Sequence, residues 1–144
     1  IDDTVLLFRQ TENKNLQVKV SLPAEAVVLM VDPILIRHAL FNLMMNAAQA
    51  SKNTDAEMTI SLEPDTDGWS LAVSDLGCGM TPEVVEHIFV PFYTTHSDGT
   101  GLGLPVVQHV ALLHGGQVNV KSVPGHGTRI AIWLPATPTD ALTN

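Results

Sequence analysis

The chain has 144 residues, the length of one domain, and 45% of them are hydrophobic. That share excludes a disordered chain, because it can supply a core. The net charge of −8 and the pI of about 4.9 argue against nucleic acid or an anionic membrane as the main partner. A single cysteine excludes an internal disulfide and fits a reducing, cytoplasmic compartment.

The first half of the chain predicts short elements and then one long helix. Residues 1–10 have the apolar side of a short helix, and residues 16–22 alternate as a strand with one buried face does. The apolar run 27–31 is either a small strand or a connector. No apolar run reaches the roughly 20 residues that span a bilayer.

The long helix is predicted to begin with Asp32 as N-cap and Pro33 as its first residue, and to run to about Ser51. Most of this helix is apolar. At about 100° per residue, four polar residues share an arc of about 80°: His38, Asn42, Asn46 and Gln49. Such an arc is either a solvent-facing stripe or one wall of a partly enclosed site. Amide and imidazole groups favour the site, since a solvated stripe usually carries Lys or Glu.

The second half alternates between strand and helix patterns. Thr81 and Pro82 begin a short helix that is predicted to end near Phe89, and residues 91–99 lack periodicity and indicate a loop. A last helix opens at residues 101–105 and stops at 114–116. Strands are predicted at residues 57–63, 69–75, 117–123 and 128–134, with hairpin turns at 64–68 and 124–127.

This order of elements predicts an α+β fold in a single domain over residues 1–144. We expect a two-layer sandwich in which a mixed, largely antiparallel five-stranded sheet carries about three helices on one face. No internal repeat or interdomain linker interrupts the chain.

The stretch after the third predicted strand has the chemistry of a ligand site. Along residues 69–74 the apolar side chains fall on one face at a period of two, and Asp75 continues that face. A carboxylate placed there needs a partner, because an unpaired buried charge is costly. Gly77 and Gly79 have no Cβ and allow a close approach. The stretch therefore suits a flat ligand with an exocyclic amine, such as adenine.

A second glycine-rich stretch, residues 99–104, opens the last helix. It matches neither the P-loop nor the dinucleotide fingerprint, because no Lys follows its glycines and the glycine spacing is wrong. The N-terminus of a helix binds anions through its free N–H groups and its dipole. The stretch is therefore either a phosphate-binding helix start or a flexible loop that ends in an N-cap.

Five short motifs follow one another in a recognisable order. They are Asn42-Leu-Met-Met-Asn46-Ala, Asp75-Leu-Gly-Cys-Gly79-Met, Ile88-Phe-Val-Pro-Phe92-Tyr-Thr-Thr, Gly99-Thr-Gly-Leu-Gly-Leu104 and Gly125-His-Gly-Thr128. Over residues 16–135 the chain resembles the ATP-binding catalytic domain of bacterial sensor histidine kinases, in the GHKL or Bergerat-fold superfamily. Its short loop is similar to that of nitrogen-regulator and dicarboxylate-sensor kinases.

The resemblance implies ATP and Mg²⁺ as ligands. Asn46 would hold Mg²⁺ through its side-chain oxygen, with Asn42 and Gln49 contacting phosphate or metal-bound water. Backbone N–H groups of the last glycine-rich stretch would bind the phosphates: those of Gly101, Leu102, Gly103 and Leu104. No residue of this chain is assigned a catalytic role with certainty.

The resemblance also implies an adenine end and a lid. Asp75 would accept from the adenine N6 amine with support from Thr128, and Gly77 and Gly79 would let the ring in. Residues 91–99 would form the lid, anchored by Phe89 and Phe92. The predicted ATP-binding set is completed by Met80, Phe92, Thr95 and His96.

Two positions depart from the family pattern. Relatives with a Thr-Thr loop commonly carry Lys where this chain has His96, and a basic residue is common at Gln49. The phosphate end is therefore expected to be poor in fixed positive charge. His96 either faces the γ-phosphate or points to solvent.

By this resemblance, the domain transfers the γ-phosphoryl group of ATP to a histidine on a separate dimerisation and phosphoacceptor domain. No histidine here has the His-acid-x-x-x-Pro context of an acceptor, and the chain begins at Ile1 rather than Met. We therefore expect acceptor helices before residue 1, residues 1–15 as the end of their linker and residues 136–144 as a loose tail. The expected partners are those helices and a response regulator. The isolated domain should be a monomer without membrane contact, while the parent protein could be membrane-anchored.

Two other functions remain open from the sequence. A gyrase-like ATPase would carry Glu, a general base, four residues before the metal-binding Asn, and Asn42 holds that position here. A degenerate nucleotide sensor would bind ATP and report it to a partner through the lid.

Overall fold

A computed structural model of the protein describes residues 1–10, 16–51, 57–94, 101 and 103–136. The helices in these ranges are α1 (Asp2–Arg9), α2 (Pro33–Ala50), α3 (Pro82–His87) and α4 (Gly103–Leu113). The strands are β1 (Gln17–Ser21), β2 (Glu57–Asp65), β3 (Gly68–Asp75), β4 (Gln117–Val123) and β5 (Gly127–Pro135).

The five strands form one sheet in the order β1-β2-β3-β5-β4. β1 pairs with β2 in parallel, and the other three pairings are antiparallel. α2 packs across β2, β3 and β5, while α4 packs on β4 and β5 and α1 packs on α2. The predicted α+β sandwich with a mixed, largely antiparallel five-stranded sheet is confirmed.

The sheet face toward the helices is apolar until its last row. In β3, Leu71 and Val73 are buried, and Val73 lies in register with Ile60 and Ile130. Two residues further on, Asp75 continues the same face and pairs with Thr128. At the carboxyl end of β3 the core therefore ends in a buried polar pair, Asp75 and Thr128.

The predicted helix starts are confirmed in atomic detail. The Oδ1 atom of Asp32 accepts from the N–H of Ile34 at 2.9 Å and from that of Leu35 at 3.2 Å. The Oγ1 atom of Thr81 accepts from the N–H of Val84 at 3.3 Å. These caps fix where α2 and α3 begin, and so where their side chains lie relative to the sheet.

The structure settles one open alternative and corrects one prediction. The run 27–31 is a connector, one of the two structures expected for it. The prediction of a turn over residues 64–68 is wrong at three residues, since β2 continues through Pro64 to Asp65 and β3 begins at Gly68. β2 can continue because β1 ends opposite Ser61. Beyond that point β2 is an edge strand, where a proline is tolerated because no ladder hydrogen bond is lost.

The N-terminal helix belongs to the packed domain. Phe8 of α1 is fully buried, and its ring lies edge-on to that of Phe41, with 6.3 Å between the centroids. That residues 1–15 end a linker stays a prediction, and residues 137–144 of the expected tail lie outside the described residues. In the described part of the chain, no helix combines the length and apolar character needed to cross a membrane.

Candidate functional site

A cleft opens between α2, α4, α3 and the loop after β3. Its floor includes Thr128 of β5. The described residues that line it are Asn42, Met45, Asn46, Gln49, Ala50, Cys78, Gly79, Met80, Val84, Ile88, Tyr93, Thr94, Gly101, Gly103, Leu104 and Thr128. One part of this lining consists of side-chain amides and glycine backbone. The other part consists largely of apolar side chains.

The polar wall belongs to α2. Three of the four residues of the predicted arc line the cleft, namely Asn42, Asn46 and Gln49, while His38 is exposed and outside the lining. The Nδ2 atom of Asn42 is buried and has no hydrogen-bond partner among the described residues. A buried donor without a partner costs free energy, which indicates that a ligand completes this wall.

The start of α4 faces that wall. A Cβ added to Gly103 would lie 3.4 Å from the Oδ1 atom of Asn42, so the helix start and the amide are in near contact. α4 has 11 residues, and its first N–H groups have no partner within the helix. Together with the helix dipole they favour an anion at this end of the cleft.

At the end of the cleft away from α4, Asp75 lies directly behind the lining. Its side chain is only 6% exposed. The N–H of Gly77 donates to its Oδ1 atom at 2.9 Å, and the backbone N–H of Thr128 also donates to the carboxylate. Burial raises the pKa of Asp75, and those two hydrogen bonds oppose the shift without cancelling it. The carboxylate is thus fixed in position but poorly stabilised, as expected for a group that a ligand completes.

The two glycines after Asp75 allow backbone packing. A Cβ on Gly77 would lie 2.4 Å from the carbonyl oxygen of Ala50, at the end of α2, and one on Gly79 would lie 2.0 Å from that of Val123. The N–H of Cys78 also donates to the Ala50 oxygen at 3.2 Å. The loop is therefore pressed between α2 and β4. This gives the glycines a structural reason besides the predicted approach of a ring.

The first residues of the predicted lid, 91–99, contact Gly101 in the last glycine-rich stretch. The N–H of Phe92 donates to the carbonyl oxygen of Gly101 at 3.0 Å, and both residues have positive φ. The Phe92 side chain is 75% exposed and does not line the cleft, unlike Tyr93 and Thr94. Three predicted ligand contacts lie outside the described residues: Thr95, His96 and Leu102.

The structure brings most of the predicted set together. Nine predicted residues line the cleft, namely Asn42, Asn46, Gln49, Gly79, Met80, Gly101, Gly103, Leu104 and Thr128. Asp75 and Gly77 lie buried behind the lining.

Sequence reasoning missed four apolar residues of the lining, Met45, Ala50, Val84 and Ile88. Met45 lies about 20° from His38 on the helical wheel, just outside the arc, from which only polar residues were selected. Val84 and Ile88 are four residues apart on and just beyond α3, a spacing that places them side by side. None of the described lining residues is Lys or Arg, in keeping with the expected shortage of positive charge.

The fold and the cleft together define a nucleotide-binding domain of the α+β sandwich type. Residues 31–138 match the family described as histidine kinase-, DNA gyrase B-, and HSP90-like ATPase. The chain belongs to this family. Membership of this ATPase family implies that the domain binds ATP.

Sensor histidine kinases are prominent among the similar proteins. Sensor histidine kinase ZraS of Salmonella typhimurium is 35% identical over 130 residues, which are 90% of this chain and 28% of ZraS. The solved catalytic domain of histidine kinase ThkA is 27% identical with a TM-score of 0.83, covering 95% of this chain and 90% of that one. Full-length ShkA in complex with AMPPNP is 25% identical with a TM-score of 0.79, covering 96% of this chain and 29% of ShkA. The chain spans under a third of the length of the curated relative ZraS.

Proposed function

We propose that this domain binds Mg-ATP and delivers the γ-phosphoryl group to a histidine on a separate dimerisation and phosphoacceptor domain, upstream of a response regulator. The observation that carries the proposal is the cleft itself. It has a buried carboxylate behind one end, and an amide wall facing a helix start at the other. The similarity to ShkA, solved with a non-hydrolysable ATP analogue, supports the same occupant.

At the adenine end, Asp75 would accept a hydrogen bond from the N6 amine. The carboxylate accepts from the N–H of Gly77, and Asp75 lies in register with Thr128, which lines the cleft. Met80 and Ile88 supply apolar surface for the ring. A charge-assisted acceptor in a dry setting is a strong and selective contact for an amine.

At the phosphate end, the donor set fits phosphate and Mg²⁺. The side-chain oxygen of Asn46 is a hard ligand of the kind that Mg²⁺ accepts, and Mg²⁺ usually takes few protein ligands beside phosphates and waters. The unpartnered Nδ2 of Asn42 would donate to phosphate or to a metal-bound water, and Gln49 would assist. When bound, the ion supplies charge neutralisation for the phosphates.

The chain's own contribution to transfer is positioning. The N–H groups at Gly103 and Leu104 would hold the phosphates against the α2 wall. The predicted lid, residues 91–99, would cover them. Phosphoryl transfer needs little covalent chemistry from the protein. Hydrolysis would need a general base to activate water, and the Asn42 amide cannot take a proton at neutral pH. The domain should therefore hydrolyse ATP negligibly when no acceptor histidine is present.

The test is transfer between separately purified parts. The domain is mixed with labelled ATP, Mg²⁺ and the parent protein's acceptor helices, with Asn46→Ala as the matched control. We expect acid-labile phosphohistidine on the helices with wild type, little with the variant, and negligible free phosphate from the domain alone. Rapid phosphate release by the pure domain, lost in Asn46→Ala and without phosphohistidine, would instead show a hydrolytic ATPase.

A further inference from the structure

Ser122, near the end of β4, contacts the candidate adenine end from behind. It lies in register with Thr128 of β5, and the two hydroxyl oxygens are 2.7 Å apart. The Ser122 Oγ also accepts from the N–H of Met80 at 2.7 Å and lies 3.2 Å from the carbonyl oxygen of Gly127, to which it can donate. One hydroxyl outside the cleft lining thus contacts three neighbours, two of which line the cleft.

The number of protons decides how these contacts are arranged. The Ser122 hydroxyl has one proton and two acceptor positions. The Met80 N–H occupies one acceptor position, and the Gly127 oxygen can only accept. All three contacts are satisfied together only if Ser122 donates to Gly127 and accepts from the Thr128 hydroxyl. In that arrangement the Thr128 proton points at Ser122, so the Thr128 oxygen can only accept from any further partner.

We propose that Ser122 is a positioning residue for base selection, holding the Thr128 hydroxyl as a hydrogen-bond acceptor beside the Asp75 carboxylate. Two acceptors at this end complement a purine with a 6-amino group. They repel a purine with a 6-oxo group, which presents an acceptor of its own. This inference rests on the proposed function, because it assumes that the cleft binds adenine nucleotides. It adds Ser122 as the residue that makes the Thr128 hydroxyl an acceptor rather than a donor toward the base.

The consequence of removing the Ser122 hydroxyl is specific. In Ser122→Ala the Thr128 hydroxyl can rotate and donate into the cleft, so a 6-oxo purine is no longer opposed by a fixed acceptor. A merely structural role would weaken all nucleotides alike, because the Met80 loop would loosen. The ratio of two affinities therefore separates the two explanations.

The experiment measures ADP and IDP affinities by calorimetry on wild type, Ser122→Ala and Ser122→Thr. IDP differs from ADP at the 6-position and the neighbouring ring nitrogen. We expect wild type to prefer ADP, Ser122→Ala to lose about threefold to tenfold of that preference, and Ser122→Thr to keep it. Ser122→Cys keeps the volume with a weaker hydrogen-bonding group, and it replaces the alanine variant if that variant fails to fold.

The matched control is Ser70→Ala. Ser70 is a buried serine of β3 that donates to the Oδ2 atom of Asp65 at 2.8 Å, far from the cleft lining. Its loss should lower stability and leave the ADP to IDP ratio unchanged. An unchanged ratio in Ser122→Ala, or no preference in wild type that binds both nucleotides, would overturn the inference. Binding of neither nucleotide to wild type would instead overturn the proposed function.

Discussion

Two aspartates lie at opposite ends of the β2–β3 hairpin and behave in opposite ways. Asp65, beside the turn, uses both oxygens within the chain: Oδ1 accepts from the N–H of Thr66 at 2.7 Å and Oδ2 from the hydroxyl of Ser70 at 2.8 Å. The Ser70 hydrogen bond is the largest cause that lowers the pKa of Asp65. Asp75, at the far end of β3, is buried, and burial raises its pKa.

The pKa shifts distinguish a carboxylate that is satisfied within the chain, Asp65, from one that is not, Asp75. Both carboxylate oxygens of Asp65 accept hydrogen bonds from the chain, and Asp65 lies in solvent, where a charged side chain costs little free energy. The chain places Asp75 in a core row, where the charged form is disfavoured. A residue that costs stability in the free protein needs another reason to be there, and the amine of the proposed ligand would supply it. Variants at Asp75 and at Asp65 should therefore differ in opposite directions.

The largest expected effect is the loss of folding free energy when a glycine of the loop that follows Asp75 is replaced by alanine. Gly79 and Gly125 both have positive φ, at 68° and 80°. A Cβ would meet the Val123 oxygen at Gly79 and nothing within 4 Å at Gly125. Alanine should therefore cost about 1–2 kcal/mol at Gly125 and about 1–3 kcal/mol more at Gly79. Urea unfolding of both variants measures the difference, and equal losses would show that the loop is not pressed against β4.

The next effect concerns ligand binding. Asp75→Asn keeps the shape but loses the charge-assisted acceptor, so ADP affinity should fall by about 1.5–3 kcal/mol, roughly tenfold or more. The melting temperature at pH 7 should stay equal or rise, because a buried charge is removed. Asp65→Asn is the matched control and should bind ADP as wild type does. Wild-type affinity in Asp75→Asn, measured by calorimetry, would remove Asp75 from the adenine contact.

Much of this contrast could be predicted from the sequence, because it follows from local periodicity. The period of two placed Asp75 on the buried face of β3, and the caps at Asp32 and Thr81 located α2 and α3. The arc of α2 identified the amide wall because its angles depend only on helix geometry.

The rest depends on contacts between distant segments, which no local pattern encodes. The fit of Gly77 against Ala50 brings the loop to the end of α2, and the Met80 contact with Ser122 joins residues 42 positions apart. Pro64 sits inside β2 only because the neighbouring β1 is short. To predict these contacts, one would have to know the order and length of the strands in the assembled sheet.

The smallest effects are on the pH dependence of stability, and they have opposite signs. The pKa of Asp75 is raised above its ordinary value of 3.8 in the folded protein. Its contribution to stability is therefore complete below about pH 3.8 and is lost as the pH rises through the raised value. Asp75→Asn should therefore gain stability relative to wild type as the pH rises above about 3.8.

Asp65 should show the reverse. Its pKa is lowered from 3.8, so its contribution is present above that pH and is lost as the pH falls through the lowered value. Asp65→Asn should therefore be less stable than wild type at neutral pH, and the deficit should shrink in acid. Thermal unfolding of both variants from acid to neutral pH checks the two signs, and parallel curves would contradict the assignment.

The central claim is that ATP occupies the cleft beside Asp75 and leaves the Asp65 end untouched. An amide NMR titration with Mg-AMPPNP, a non-hydrolysable analogue, tests it most directly. The predicted result is large shifts of the Asn42, Asn46 and Gln49 side-chain amides and of the Gly77 and Gly79 backbone, with Thr66 and Gly68 unmoved. Shifts concentrated at Thr66 and Gly68, or none at the α2 amides, would contradict the account.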